Sequence, residues 1–238
     1  MTRYLRAVAM TGLVVLSGCG GGKSAPDKAA VELIVHDYLL AHPEIIPEAI
    51  NGMQSRAVAH LLKSDRDEVE TPFSGAVAGN LKGDVTLVEI FDYACPYCRS
   101  AHSDIKRLLA ADPKLRVVYR DVSVISEASG EAAMAALSAA RQGKYVAYHD
   151  RMFELPGKVE HDRTVAIIRA AGLDERRTAA DLTNPALKAE LKHNVDLARA
   201  LGLTSTPSFI VGNQILSGAG GYDKLAAAVA AARATQQH

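Results

Sequence analysis

The chain is poor in cysteine and contains no tryptophan, and its scarcities exclude several classes of protein. Three cysteines in 238 residues are too few for a small fold held together by disulfide bonds. Lysine plus arginine and aspartate plus glutamate both number 27, so the charge balance does not indicate a nucleic-acid partner. No segment after the N-terminal region is apolar enough to cross a bilayer. The hydrophobic content of 48% is nevertheless sufficient for one or two domains with a core.

Residues 1–19 are predicted to be a lipoprotein signal peptide. Two arginines, Arg3 and Arg6, precede a short apolar run. The run ends in Leu-Ser-Gly-Cys at Cys19, which resembles a bacterial lipobox and predicts lipidation of that cysteine. A plain secretory signal, with Cys19 incidental, is the alternative. Both interpretations place the mature protein outside the cytoplasm, where disulfide bonds persist.

Residues 20–28 are rich in glycine and are predicted to be a flexible tether. The chain would then be attached to the membrane by its lipid anchor alone. Gly20 follows the lipobox cysteine, which by the rule for such signals implies the outer membrane of a Gram-negative cell, facing the periplasm. The inner membrane and the cell surface are the alternatives.

Residues 29–64 are predicted to be helical, with interruptions at Pro43 and Pro47. Apolar side chains recur there at helical spacing and need a burial partner. Self-association through residues 29–62, giving a homo-oligomer, is one answer, and packing on the chain's own domain is the other. A run of charged residues follows the helical segment, and residues 65–80 are predicted to be a linker between that segment and the next strand. This separation favours self-association over packing on the chain's own domain. One apolar stripe consists of Val31, Ile34, Val35, Tyr38 and Leu39, and a second consists of Ile46, Ile50, Met53, Ala57 and Leu61.

The remaining pattern is strand, helix, strand, a block of helices, two short strands and a final helix. The first three elements form a βαβ unit, which is normally right-handed with parallel strands. The pattern predicts an α/β thioredoxin fold at 81–126 and 202–238, with a helical domain inserted at 127–201. The expected strands are 85–91, 115–122, 208–211 and 215–216, and the expected flanking helices are 100–111 and 222–234.

The most informative motif is Cys95-Pro96-Tyr97-Cys98, at the expected turn from strand to helix. Cysteines at this spacing share a helix face, so their sulfurs can reach bonding distance. Cys95 would lie at the helix N-cap, where free N–H groups and the helix dipole favour a thiolate, and Cys98 would resolve the mixed disulfide. A structural disulfide would close too small a loop to stabilise the fold much. A zinc site would need more cysteine or histidine ligands.

Three further residues are predicted to serve the motif. Glu89 shares strand parity with apolar residues, so it is expected to be buried with a raised pKa and to exchange protons with Cys98; an exposed or ion-paired carboxylate is the alternative. Thr206 precedes Pro207, and a cis bond there would expose the Thr206 backbone to an extended substrate. An ordinary loop proline is the alternative.

His102 lies four residues after Cys98 on the same helix face. Together with Cys95 it could complete a three-ligand site for Cu(I) or zinc. The simpler interpretation is a solvent-facing histidine, and no resident metal or cofactor is expected.

At these residues the chain resembles the DsbA-like thioredoxin family, and within it the Com1/ScsC-type branch of periplasmic thiol–disulfide oxidoreductases. The resemblance covers roughly residues 29–234. It implies attack by Cys95, resolution by Cys98, a cis Pro207 with Thr206 contacting substrate, and a buried acid at Glu89. The matching stretches are 88–98, 108–119, 143–149 and 206–212, and residues 37–44 resemble the oligomerisation segment of that branch.

The predicted function is disulfide exchange with exported, cysteine-containing proteins. Thr206 and Pro207, with Pro96 and Tyr97 between the cysteines, are the predicted substrate-binding residues. A membrane-bound oxidase or reductase is the expected redox partner. Oxidase, isomerase and reductase directions stay open, because the Pro-Tyr pair does not fix the potential. A copper-binding lipoprotein and an anchored interaction protein with a vestigial site are the alternatives.

Overall fold

The computed structural model describes residues 27–236, apart from the side chains at positions 51, 54, 55 and 64. The predicted signal peptide, Cys19 and all of the tether before residue 27 lie outside the described residues. The chain divides into two compact units, with the boundary between Glu48 and Ala49.

The first unit contains helix α1, Lys28–Ala41. Its N-terminus is capped by Asp27, whose side chain accepts a hydrogen bond from the Ala29 N–H at 3.4 Å. No residue of α1 is buried. Helix α2, Ile45–Glu70, begins in this unit and continues into the second. The helical break falls at residues 42–44, which agrees with the interruption predicted from Pro43, whereas Pro47 lies in the first turn of α2, where proline is tolerated.

The prediction of a linker over residues 65–80 was wrong. Helix α2 extends to Glu70, and Val77–Gly79 forms strand β1 of the sheet. The charged residues obscured a helix that buries Leu62 and Val69 on one side. Two arginines of the second unit donate hydrogen bonds to the carbonyl groups at the end of this helix, which have no partner within the helix itself. Arg116 donates to the carbonyl of Glu70, and Arg120 donates to the carbonyls of Glu68, Val69 and Thr71.

The second unit is built on a five-stranded sheet in the order β1-β3-β2-β4-β5. Strands β2, Val85–Phe91, and β3, Leu115–Asp121, are parallel and are joined by helix α3, Pro96–Ala111. Strands β4, Ser208–Val211, and β5, Gln214–Ser217, form an antiparallel hairpin, and β4 also pairs antiparallel with β2. Helix α9, Tyr222–Thr235, ends the described chain.

Five helices lie between β3 and β4, as the fold class predicted. The central one is α4, Glu127–Arg141, which buries ten residues, most of them alanine, so that neighbouring helices approach it closely. None of the described helices is both long and apolar enough to cross a membrane. The five helices are α4 Glu127–Arg141, α5 Tyr145–Glu154, α6 His161–Ala170, α7 Glu175–Asp181 and α8 Pro185–Ala200.

Candidate redox site

The two cysteines of the motif lie where strand β2 gives way to helix α3. Cys95 is the N-cap residue, and its Sγ accepts a hydrogen bond from the Cys98 N–H at 3.4 Å. Pro96 occupies the start of the helix, where its missing N–H leaves no hydrogen bond unmade. Both cysteines are free thiols. Cys98 is completely buried and Cys95 is 4% exposed, so Cys95 is the more accessible sulfur.

The carboxylate of Asp92 holds the turn in front of the cysteines. It is fully buried and accepts hydrogen bonds from the N–H groups of Ala94 at 2.8 Å, Val124 at 2.9 Å and Ile125 at 3.0 Å. The Ser129 hydroxyl, at the start of α4, donates to the same carboxylate at 3.0 Å. Through these hydrogen bonds, Asp92 connects the turn before the cysteines to the segment that follows β3 and to the start of α4. Sequence reasoning missed this residue, although an aspartate directly after a buried strand was a signal.

The loop before β4 faces the nucleophile candidate. The peptide bond between Thr206 and Pro207 is cis. The Cys95 thiol donates a hydrogen bond to the Thr206 carbonyl, with Sγ and O 3.3 Å apart. Pro207 is buried, whereas Pro96 and Tyr97 are exposed. The structure thus brings Thr206 and Cys95 into direct contact across two distant parts of the sequence.

Two depressions lie beside this contact. An apolar groove of about 450 Å³ is lined by Thr206, Val124 and Ile125 among others. Val124 and Ile125 are 58% and 51% exposed, although both are apolar. A second depression, a cleft of about 370 Å³, is lined by Cys95 and by two positively charged side chains, Arg99 and Lys158. The contact between Cys95 and Thr206 is therefore flanked by an apolar groove and by a cleft that carries two positive charges.

Glu89 is a buried acid beneath the cysteines, as the strand pattern predicted. Its side chain is completely buried, and neither carboxylate oxygen has a hydrogen-bond partner among residues 27–236. Burial, reinforced by the negative charges of Asp121 and Cys95, raises the pKa of Glu89 well above its usual value. Burial and the nearby Glu89 charge also raise the pKa of Cys98. Both shifts favour the protonated, neutral form of the group concerned.

A second buried acid, Asp121 at the end of β3, was not identified from the sequence as a site residue. The Tyr145 hydroxyl donates a hydrogen bond to its Oδ2 at 2.8 Å, and its Oδ1 has no partner within the described part of the chain. Burial raises the pKa of Asp121 to about 7. Nearby, the Tyr93 hydroxyl and His149 Nδ1 are 3.1 Å apart, and burial lowers the pKa of His149 well below its usual value.

His102 does not join the cysteines, so the three-ligand copper or zinc set was wrong. Its ring is 4% exposed, contrary to the solvent-facing alternative, and Nε2 lies 3.4 Å from Oδ1 of Asp150. Over the described residues, three potential metal ligands converge only at His102, Asp150 and Glu154. The Lys106 ammonium already pairs with both carboxylates of that group. Burial lowers the pKa of His102.

The fold and the paired cysteines together define the class of thioredoxin-fold oxidoreductases. Residues 73–231 match the family described as Thioredoxin, which is more than half of the chain, so the chain belongs to that family. Residues 27–59 match the family described as Copper resistance protein ScsC N-terminal domain. The second match ends before the cysteine motif. The predicted fold class and the resemblance to the DsbA-like, ScsC-type branch are confirmed.

Solved structures give the same class. A thioredoxin-like oxidoreductase from Silicibacter pomeroyi DSS-3 is 39% identical, with a TM-score of 0.69, over 71% of this chain and 98% of that one. A linker-deletion mutant of Proteus mirabilis ScsC is 26% identical, with a TM-score of 0.68, over 91% of this chain and 99% of that one.

Curated relatives match in part only. The Na(+)/H(+) antiporter NhaA 1 of Salinispora arenicola is 29% identical over 71% of this chain and 25% of its own length. The chain spans about a quarter of the length of the curated relatives that it matches.

Proposed function

We propose that this protein is an extracytoplasmic thiol–disulfide oxidoreductase that exchanges disulfide bonds with exported proteins through Cys95 and Cys98. The observation that carries the proposal is the contact between the Cys95 Sγ, at the N-cap of α3, and the backbone of Thr206. A nucleophilic sulfur at a helix N-terminus, beside the backbone of a residue that precedes a cis proline and can pair with an extended chain, matches the needs of disulfide exchange with a polypeptide.

In the oxidising direction, a client thiolate attacks Cys95 in the Cys95–Cys98 disulfide, and Cys98 leaves as a thiolate. A second client thiol then displaces Cys95, so the client gains a disulfide and the protein is left with two thiols. In the opposite direction, the Cys95 thiolate attacks a client disulfide and Cys98 resolves the mixed disulfide. A membrane-bound redox protein restores the starting state. The buried Glu89 exchanges protons with Cys98 in both directions.

Trapping the covalent intermediate tests this function. In Cys98→Ala the resolving thiol is gone, so client proteins should accumulate as mixed disulfides on Cys95. The adducts should be visible on non-reducing gels and disappear on reduction. Cys95→Ser is the matched control, because it keeps a thiol in the motif but removes the accessible one. Equal adduct formation by both variants, or none by Cys98→Ala, would contradict the proposal.

Self-association is proposed for the N-terminal segment. Its support is the set of large apolar side chains that α1 exposes, including Val31, Ile34, Val35 and Tyr38, together with the ScsC-type match over the same residues. An exposed apolar stripe of this kind is typical of an interaction surface. Ile34→Asp should lower the molar mass measured by light scattering to that of a smaller species. Leu81→Asp, at an equally exposed leucine elsewhere, should not change it.

Lipid attachment through Cys19 is proposed on the Leu-Ser-Gly-Cys motif and the preceding apolar run. The location would be the outer membrane, facing the periplasm. Cys19→Ala should abolish metabolic labelling with a fatty acid and move the protein from the membrane fraction to the soluble fraction. Labelling that survives in Cys19→Ala would exclude this site of lipidation.

A further inference from the structure

Two buried carboxyl groups, Glu89 and Asp121, lie on the same face of the central sheet, and Glu89 interacts with both cysteines. In the parallel register of β2 and β3, Glu89 pairs with Tyr119 and Phe91 pairs with Asp121. Alternate residues of a strand point to the same face, so Glu89 and Asp121 are diagonal neighbours on adjacent strands. Both side chains are within 1% of complete burial.

No cation compensates these two acids within the described part of the chain. The ionisable groups that act on Glu89 are Asp121 and Cys95, and both oppose its negative charge. Arg120, next to Asp121 in the chain, is bound instead to Asn194, Glu190 and the carbonyls at the end of α2. Titratable groups surround the two acids on every packed element: Tyr93 after β2, Tyr119 on β3, Cys95 and Cys98 at α3, Tyr145, Tyr148 and His149 on α5, and Glu190 on α8. Burial lowers the pKa of His149 well below its usual value, which favours its neutral form.

The hydrogen bonds differ between the two acids. Asp121 receives the Tyr145 hydroxyl at 2.8 Å, which stabilises its charged form, whereas Glu89 has no partner within residues 27–236. Two like charges in one apolar region cannot both form at low cost. The negative charge of the pair therefore belongs on Asp121, and the proton belongs on Glu89.

We infer that Asp121 is a positioning residue of the redox site, which keeps the proton on Glu89 and so controls when Glu89 can exchange it with Cys98. This inference rests on the proposed disulfide exchange. When a client thiolate opens the Cys95–Cys98 bond, Cys98 leaves as a thiolate and takes the proton of Glu89. In the reverse step, Cys98 returns its proton to the Glu89 carboxylate, and its thiolate displaces the client sulfur from Cys95. Asp121 raises the fraction of Glu89 that is protonated and available for the first step at neutral pH, and it lowers the fraction present as the carboxylate that the second step needs.

The experiment follows the resolving step directly. Ellman's reagent forms a mixed disulfide with Cys95 and releases one coloured thiolate, and attack by Cys98 then releases a second. Stopped-flow absorbance gives the rates of both phases between about pH 5 and 9. In Asp121→Asn, the pH at which the rate of the second phase reaches half its maximum should fall by about one unit or more, because Glu89 loses a like-charged neighbour. Tyr145→Phe should move it in the same direction by less, since Asp121 then ionises less readily.

A double-mutant comparison shows whether Asp121 acts through Glu89. Asp121→Asn should shift the profile in the wild-type background and have no effect in Glu89→Gln. An unchanged midpoint in Asp121→Asn, or a shift that persists in Glu89→Gln, would overturn the inference. If Asp121→Asn does not fold, the same comparison is made with Tyr145→Phe, which should shift the pH profile in the wild-type background and have no effect in Glu89→Gln. Absence of the first phase in the wild type would instead overturn the proposed function, so the two failures are distinguishable.

Discussion

Helices α1 and α4 have nearly the same length, 14 and 15 residues, and both carry mainly apolar side chains. Helix α4 nevertheless buries ten residues and α1 buries none. Six of the ten buried residues of α4 are alanine, which lets neighbouring helices approach closely, whereas α1 exposes valine, isoleucine and tyrosine. Apolar content therefore does not distinguish a helix that builds the core of its own chain from one that has its apolar face free for another.

Placing a charge in each helix gives the largest expected contrast. Ala136 is fully buried in α4, so Ala136→Asp should cost about 4 kcal/mol or more and prevent native packing. Ile34→Asp, in α1, should leave the free energy of unfolding of the second unit within about 0.5 kcal/mol of the wild-type value. Near-UV circular dichroism during thermal unfolding checks both. A comparable loss in Ile34→Asp would show that α1 is part of the stable body.

Arg120 tests whether the end of α2 belongs with the body. Arg120→Ala would leave several helix-end carbonyls and the buried Asn194 side chain without their donor. We expect a loss of about 2–4 kcal/mol in the free energy of unfolding, measured with urea. Arg199→Ala is the control, since that side chain is exposed on α8, and it should change stability by less than about 0.5 kcal/mol. Equal effects of the two variants would contradict the capping role.

The stability of the body should depend on pH through Asp121. Its pKa is raised to about 7 in the folded protein, above the value of about 3.9 of an unfolded chain. The folded state therefore binds the extra proton between these values, and stability is lost as pH rises from the lower value through about 7, at up to about 1.4 kcal/mol per pH unit. Asp121→Asn should remove this part of the slope. Urea unfolding at a series of pH values measures it, and identical slopes would contradict the assignment.

The apolar groove gives the smallest expected effect. Ile125→Glu places a charge beside Thr206 and should lower kcat/KM for an unfolded client protein about tenfold, equivalent to about 1.4 kcal/mol. Attack by a small thiol such as glutathione should stay unchanged, because it does not use the groove. If both substrates lose the same factor, the substitution has disturbed the cysteines rather than client binding.

Much of the fold could be predicted because its signals are local. The buried strand before Cys95, the proline at the helix start and the final hairpin each follow from a few adjacent residues. The linker prediction failed for a physical reason. The charged residues before Glu70 lie on a helix whose carbonyl groups are satisfied by arginines about 50 residues away along the chain, and local composition carries no sign of that.

The candidate site was predicted to a similar degree. Cys95, Cys98 and Glu89 were identified from spacing and strand parity, and Thr206 and Pro207 were identified from the X-Pro pair before the third expected strand. The resemblance implied roles for the same residues. The hydrogen bonds of Asp92 and Asp121 were missed, because their partners are on α4, α5 and the loop after β3.

The sequence alone determined that two cysteines lie three residues apart at a strand-to-helix turn, because the strand, the spacing and the proline at the helix start are local features. Only the tertiary structure decided their surroundings: the Thr206 carbonyl beside Cys95, His102 turned towards Asp150 instead of the cysteines, and two buried acids on one sheet face that no cation in the described residues compensates. The reason is that burial and charge act through space, between residues far apart in the chain, and they set which groups hold protons.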